Sequence, residues 1–162
     1  VELDRDDPVA LQRPRPEEGG RPRPVVHGRE ERILVADHPT DFGLKFKYGE
    51  QLTEAGRWDE AIAQFQNARK DPKFVTSSTY EIGKCFFEKD LYDLAIKEYQ
   101  AALEQITETD SSVAKSVRYD LAMTHQKKGE SDKALEFLEE IMSVDISFRD
   151  VSEKVTEIRS NL

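Results

Sequence analysis

Three stretches of this chain carry one skeleton. The first reads Tyr48-Gly49, Leu52, Trp58, Ala61, Phe65 and Ala68; the second reads Ile82-Gly83, Phe86, Tyr92, Ala95, Tyr99 and Ala102. The third keeps Leu121-Ala122, His125, Ala134, Leu138 and Ile141. The first two copies lie 34 residues apart and the third follows after 39. Repetition at that period is the mark of stacked helical hairpins, each unable to bury its apolar face alone. It constrains the chain to an array, and arrays of this kind hold other chains more often than they do chemistry.

Composition changes sharply near residue 40. Residues 1–40 contain six of the seven prolines and seven arginines but no lysine, whereas the remainder holds twelve lysines and one proline, Pro72. The centre of the N-terminal part, Arg13-Pro-Arg-Pro-Glu-Glu-Gly-Gly-Arg-Pro-Arg-Pro24, has almost nothing to bury. Proline fixes φ and removes backbone donors, so residues 1–27 are expected to be disordered within a 1–39 segment. A short helix is expected at 29–37, before His38-Pro39. Pro39 precedes Pro72 by 33 residues, the spacing of a degenerate or truncated earlier repeat.

The helical period then persists over residues 40–162. Asp41 can cap a first helix that carries Leu44, Tyr48 and Leu52 on one face. Gly56-Arg57 turns the chain, Trp58 opens the second helix, and Asp71-Pro72 ends it because the residue before proline avoids the helical region. The next hairpin turns at Lys89-Asp90, and the third turns at Gly129-Glu130 with Ser131 as cap. Val113, Val117 and Leu121 are expected to lengthen the third hairpin's first helix. The predicted units are 42–75, 76–109 and 115–147, followed by an end helix at 148–160 striped with Phe148, Val151, Val155 and Ile158.

These residues resemble the tetratricopeptide repeat. The first copy matches at Gly49, Leu52, Gly56-Arg57-Trp58, Ala61, Phe65, Ala68 and Pro72. The second lacks the boundary proline; the third has His125 in place of an aromatic and Ile141 in place of alanine. The resemblance implies an all-α, right-handed solenoid of three helix-turn-helix hairpins with a C-terminal capping helix. It also implies a concave groove lined by the first helix of each hairpin. On that geometry the groove receives Phe46, Lys47, Glu50, Thr53 and Glu54, then Tyr80, Glu81, Lys84, Phe87 and Glu88. Tyr119, Asp120, Met123, Gln126 and Lys127 follow from the third copy.

Phe46, Tyr80 and Tyr119 fall at one register position and should form a column. Two readings of that column stand: a platform for an extended or helical peptide, or rings packed inward between helices. Phe87 is the sharper clue, since Phe86 beside it already fills a core position. Chaperone-binding members of the family grip a peptide carboxylate with lysine, arginine and asparagine. The matching positions here hold Glu50, Glu81, Asp120 and Met123, so that clamp is absent. An acidic groove suits a peptide with an apolar anchor and a few basic residues.

Other classes fare worse. A net charge of −9 disfavours nucleic acid, whose phosphates need a basic stripe. No apolar run approaches the roughly 18 residues of a membrane span. Cys85 and His125 lack the polarising surroundings and oxyanion donors of a nucleophilic site. His27 and His38 have no companions at metal-ligand spacing, and no glycine loop cradles a phosphate. No cofactor is expected. The prolines Pro14/Pro16 and Pro22/Pro24 lie two apart, not the three that proline-recognising grooves require. The chain begins at Val1, which leaves a preceding targeting segment open, and cytoplasmic placement is a default expectation. The reading is a non-catalytic adaptor or scaffold that captures a protein partner in the groove. The alternatives are a structural or self-oligomerising module, and the repeat portion of a longer regulatory or envelope-assembly protein.

Overall fold

The computed structural model describes residues 28–162, with side chains from Arg32 onward. The Arg/Pro-rich segment 1–27, expected to be disordered, lies outside the described residues. Eight helices follow in order: α1 (Gly28–Asp37), α2 (Phe42–Glu54), α3 (Trp58–Ala68), α4 (Val75–Glu88), α5 (Tyr92–Gln105), α6 (Ser112–Lys127), α7 (Ser131–Val144) and α8 (Val151–Ser160). A 3-10 turn, Pro72–Phe74, leads into α4.

The starts of the hairpins are capped by side chains. Asp41 accepts from the Leu44 amide at 2.9 Å, and Ser111 accepts from the Ala114 amide at 3.2 Å. Asp71 does the same for Lys73 at 2.9 Å, with Pro72 at the position where a missing N–H costs nothing.

The turns inside the hairpins share one geometry. Gly56, Asp90 and Gly129 have φ of +70°, 58° and 78°. The next amide in each case, Arg57, Leu91 or Glu130, donates to the carbonyl five residues back, at 2.8, 2.9 and 2.9 Å. That is a left-handed helix stop that satisfies orphan carbonyls. Asp90 takes the place of glycine because aspartate tolerates this region, and Tyr92 Oη donates to its carboxylate at 2.6 Å. Such a turn delivers its last residue directly as the start of the next helix. Ser131 therefore lies inside α7 and caps nothing; Glu130 stands at the cap position, with no side-chain bond.

Within each hairpin, size at one helix is matched by size at the other. Gly49 faces Phe65 and Gly83 faces Tyr99, so closely that a Cβ on either glycine would sit 2.6 Å from the ring. In the third hairpin the same register positions hold Ala122 and Leu138, both fully buried, a smaller side chain making room for a methyl.

Each core layer is a hairpin closed by the next helix along. Tyr48, Leu52, Ala61, Ile62 and Phe65 pack with Ile82 and Cys85 of α4. Ala95, Tyr99 and Ala102 pack with Val117 and Leu121 of α6. Ala122, Ala134, Leu138 and Ile141 pack with Val151, Val155 and Ile158 of α8. The last helix thus stands where a further repeat's first helix would stand. At the other end α1 packs on α2, with Val35 against the first layer. Val113, expected on the buried stripe, is exposed. It sits in the first turn of α6, where Ala114 takes the inward position instead.

Candidate functional site

The first helices α2, α4 and α6 surround a cavity of about 430 Å³. Thr53 and Glu54 of α2, Glu81, Lys84, Cys85, Phe87 and Glu88 of α4, and Asp120 and Met123 of α6 line it, together with Trp58 and Tyr99 from the second helices. The apolar wall is Trp58, Phe87, Tyr99 and Met123. Four carboxylates border it against one ammonium, Lys84, which is already bonded to both oxygens of Glu81 at 2.9 Å. Lys84 also lies 5.4 Å from the Tyr80 ring centre. The carboxyl of Glu50 nearby is raised above its ordinary range, by desolvation first and then by Glu81 and Glu54. This end of the cavity is therefore an acidic neighbourhood.

Asp120 is the most constrained of these acids. Tyr80 Oη donates to Oδ2 at 2.6 Å, and the Arg149 guanidinium lies 3.5 Å from Oδ1. Burial raises the Asp120 pKa, while the phenol and guanidinium oppose the rise. Arg149 has φ of 48° and spreads over the rings of Tyr119 and Phe148, 4.7 and 5.1 Å from their centres. Tyr119 Oη donates in turn to Asp150 at 2.6 Å, at the start of α8.

Of the residues singled out by sequence, Glu81, Lys84, Phe87, Asp120 and Met123 come together on the cavity, with Thr53, Glu54 and Glu88. Phe46, Lys47, Glu50, Tyr80 and Tyr119 are not among its lining residues. Phe46 is half-buried, edge-on to Phe65 at 5.3 Å and stacked on Phe74 at 5.4 Å. Tyr80 leans on Tyr99 at 5.8 Å, and Tyr119 on Phe148 at 6.4 Å. All three rings of the column join one repeat to its neighbour. Phe87 packs on Tyr92 at 5.7 Å and contributes to the cavity wall, while Phe86 packs against two core layers. Sequence reasoning missed Trp58, Cys85 and Tyr99 as cavity residues. Cys85 and Tyr99 carry a core pattern, and only the gap between α4 and α6 turns part of each toward the cavity. Trp58 had a usable signal, as the one tryptophan of the chain at the turn beside α2.

The cavity offers no activated nucleophile. Burial, then Glu81, pushes the Cys85 thiol up to about 12, leaving it protonated at neutral pH. His125 is buried, stacked on Phe137 at 5.7 Å, with Nδ1 2.7 Å from Glu130. Among the described residues no group of three or more His, Cys, Asp or Glu is placed to hold a metal ion. None of their helices is long and apolar enough to cross a membrane.

Stacked helix-turn-helix units with a closing helix and a cavity among their first helices define an α-solenoid repeat protein. Residues 75–147 match the family model of the tetratricopeptide repeat. Solved structures agree on the fold. The crystal structure of MamA is similar with a TM-score of 0.69 at 20% identity, over 83% of this chain and 75% of that one. YrrB, described as a TPR protein with an unusual peptide-binding site, gives 0.65 at 15% identity over 83% and 66%. Cut9 in the Cut9–Hcn1 hetero-tetramer structure gives 0.67 at 18% identity, over 80% of this chain and 26% of that chain.

Proposed function

We propose that this chain is a non-catalytic adaptor that holds a peptide or helix of a protein partner in the cavity among α2, α4 and α6. The observation that carries this reading is the pairing of an apolar wall (Trp58, Phe87, Met123) with an excess of carboxylates. A side chain seated against that wall gains roughly 1.5–3 kcal/mol from burial. Glu54, Glu81, Glu88 and Asp120 then select basic flanking residues over acidic ones. Phe87 and Met123 are the anchors; Phe46, Tyr80 and Tyr119 hold the repeats that frame them. YrrB, which shares this fold, has an unusual peptide-binding site, and that supports a peptide as the class of ligand.

The test is selection of random displayed peptides on the full chain. Enriched peptides should combine an apolar residue with arginine or lysine, and should lose binding to a folded Phe87→Ala/Met123→Ala chain. Peptides that bind both chains equally would move recognition off this cavity.

A further inference from the structure

Building on that groove reading, we infer that the cavity's first occupant is a segment of this chain itself, Arg21-Pro22-Arg23-Pro24-Val25-Val26. Charge is the first argument. The segment carries two arginines and no acid, and the cavity carries four carboxylates: Glu81 is paired with Lys84 and Asp120 with Tyr80 and Arg149, which leaves Glu54 and Glu88 to meet the two arginines. Shape chemistry is the second. Val25 and Val26 supply an apolar anchor directly beside the basic pair, the combination the Phe87–Met123 wall and its acidic border accept. Alternating prolines lower the entropy lost when an extended ligand is fixed. The other Arg/Pro run, Arg13 to Pro16, is followed by Glu17-Glu18, which the same border repels.

Reach is the third argument. α1 packs on α2 and is joined to it by the short His38–Asp41 turn, so the two run antiparallel. Gly28, at the start of α1, is therefore at the end of α2 that carries Thr53 and Glu54 in the cavity wall. Seven residues from Arg21 to Gly28 can span up to about 23 Å, against helix spacings of about 8–10 Å. A segment attached there competes with any partner for the same wall, which makes it a built-in brake on the adaptor.

Trp58, the single tryptophan, stands in the cavity wall and reports occupancy by its fluorescence. The probe is a synthetic peptide of residues 19–27, titrated into the native full chain and into a full-length Arg21→Glu/Arg23→Glu chain. Both substitutions lie outside the described helices, and circular dichroism checks that the helical content is unchanged. A tether of this length holds its segment at an effective concentration near millimolar, so a peptide of about 100 µM affinity should bind the native chain about tenfold more weakly than the charge-reversed one. Equal affinity for the two chains overturns the proposal, and so does failure of the peptide to bind the charge-reversed chain. If the native chain's deficit vanishes on dilution, the occupant comes from a second molecule and self-occupancy in cis is overturned. In any of these cases, displayed peptides that still depend on Phe87 and Met123 leave the groove reading standing while this inference falls.

Discussion

Phe46 and Tyr80 occupy one register position in successive hairpins, yet they join those hairpins by different chemistry. Phe46 is held among the rings of Phe65 and Phe74, an apolar joint with no polar atom to satisfy. Tyr80 spends its ring on Tyr99 and its hydroxyl on Asp120 of the next hairpin, and Asp120 is shared with Arg149. Glu81 stands at the register of Asp120, but its phenol-bearing counterpart is missing at Phe46, so it pairs with Lys84 instead. The first joint stores its stability in packing, and the second depends on a polar network with a half-buried acid. The two acids differ in partners rather than in exposure: Glu81, 17% exposed, is paired with Lys84 of its own helix, whereas Asp120, 23% exposed, is bound by Tyr80 of the preceding hairpin and by Arg149.

The largest effect should come from the apolar joint. Phe65 is fully buried and touches both α2 and Phe46. Phe65→Ala should cost about 3–5 kcal/mol in urea unfolding. A loss under about 1 kcal/mol would mean that the site collapses freely and that the first joint is not a packing joint.

Next come the glycines, which test whether the hairpins are alike even though the joints are not. Gly49→Ala and Gly83→Ala both put a methyl 2.6 Å from a buried ring. Each should cost about 1–3 kcal/mol by overpacking, and the two losses should be similar. Gly49→Ala combined with Phe65→Leu copies the Ala122–Leu138 pair and should recover part of the loss. Absence of any recovery would show that the size match within a hairpin is incidental.

Much of this was legible in sequence because the signals are local. The period of Gly49/Gly83 and Ala61/Ala95 encodes helix pairing, and the turn residues Gly56 and Gly129 encode the left-handed stop. Asp90 was readable as a turn but not as a left-handed residue, since nothing nearby distinguishes it from an ordinary cap. The site was less legible. Register placed Phe46, Tyr80 and Tyr119 in one column, but it does not say whether a ring leans into the groove or onto the next repeat. That choice depends on what the neighbouring repeat offers: Phe74 for Phe46, Asp120 for Tyr80, Asp150 for Tyr119. Tyr80 and Asp120 are 40 residues apart, off the 34-residue period, because the third hairpin begins late.

A double-mutant cycle separates the joints more finely. Tyr80→Phe strips a partly buried carboxylate of its donor and should cost about 1–3 kcal/mol. Tyr80→Phe with Asp120→Asn should lose less than the sum, with a coupling of about 0.5–3 kcal/mol. The equivalent cycle at Phe46→Leu and Glu81→Gln should show coupling near zero. Equal coupling at both joints would erase the distinction drawn between them.

The smallest effects are those of pH, and they run in opposite directions at the middle of α6 and at the turn that follows it. Asp120 has its native pKa raised, by burial above all, so its contribution is full below the unfolded value and fades as pH rises through the native one. Asp120→Asn should therefore gain on the native chain as pH climbs above the ordinary carboxylate value of 3.8. Tyr80 and Arg149 hold that rise down, so Tyr80→Phe should move the same transition to higher pH. Glu130 is the reverse case: His125, Lys128 and Lys133 lower it from 4.5 to about 2. Its contribution is full above 4.5 and is lost as pH falls toward 2, so the gap between the native chain and Glu130→Gln should close across that interval. Thermal midpoints recorded from acid to neutral pH read both trends. Parallel curves for Asp120→Asn and the native chain would mean that burial does not raise the carboxyl at the second joint, and the contrast between packing and network would rest on geometry alone.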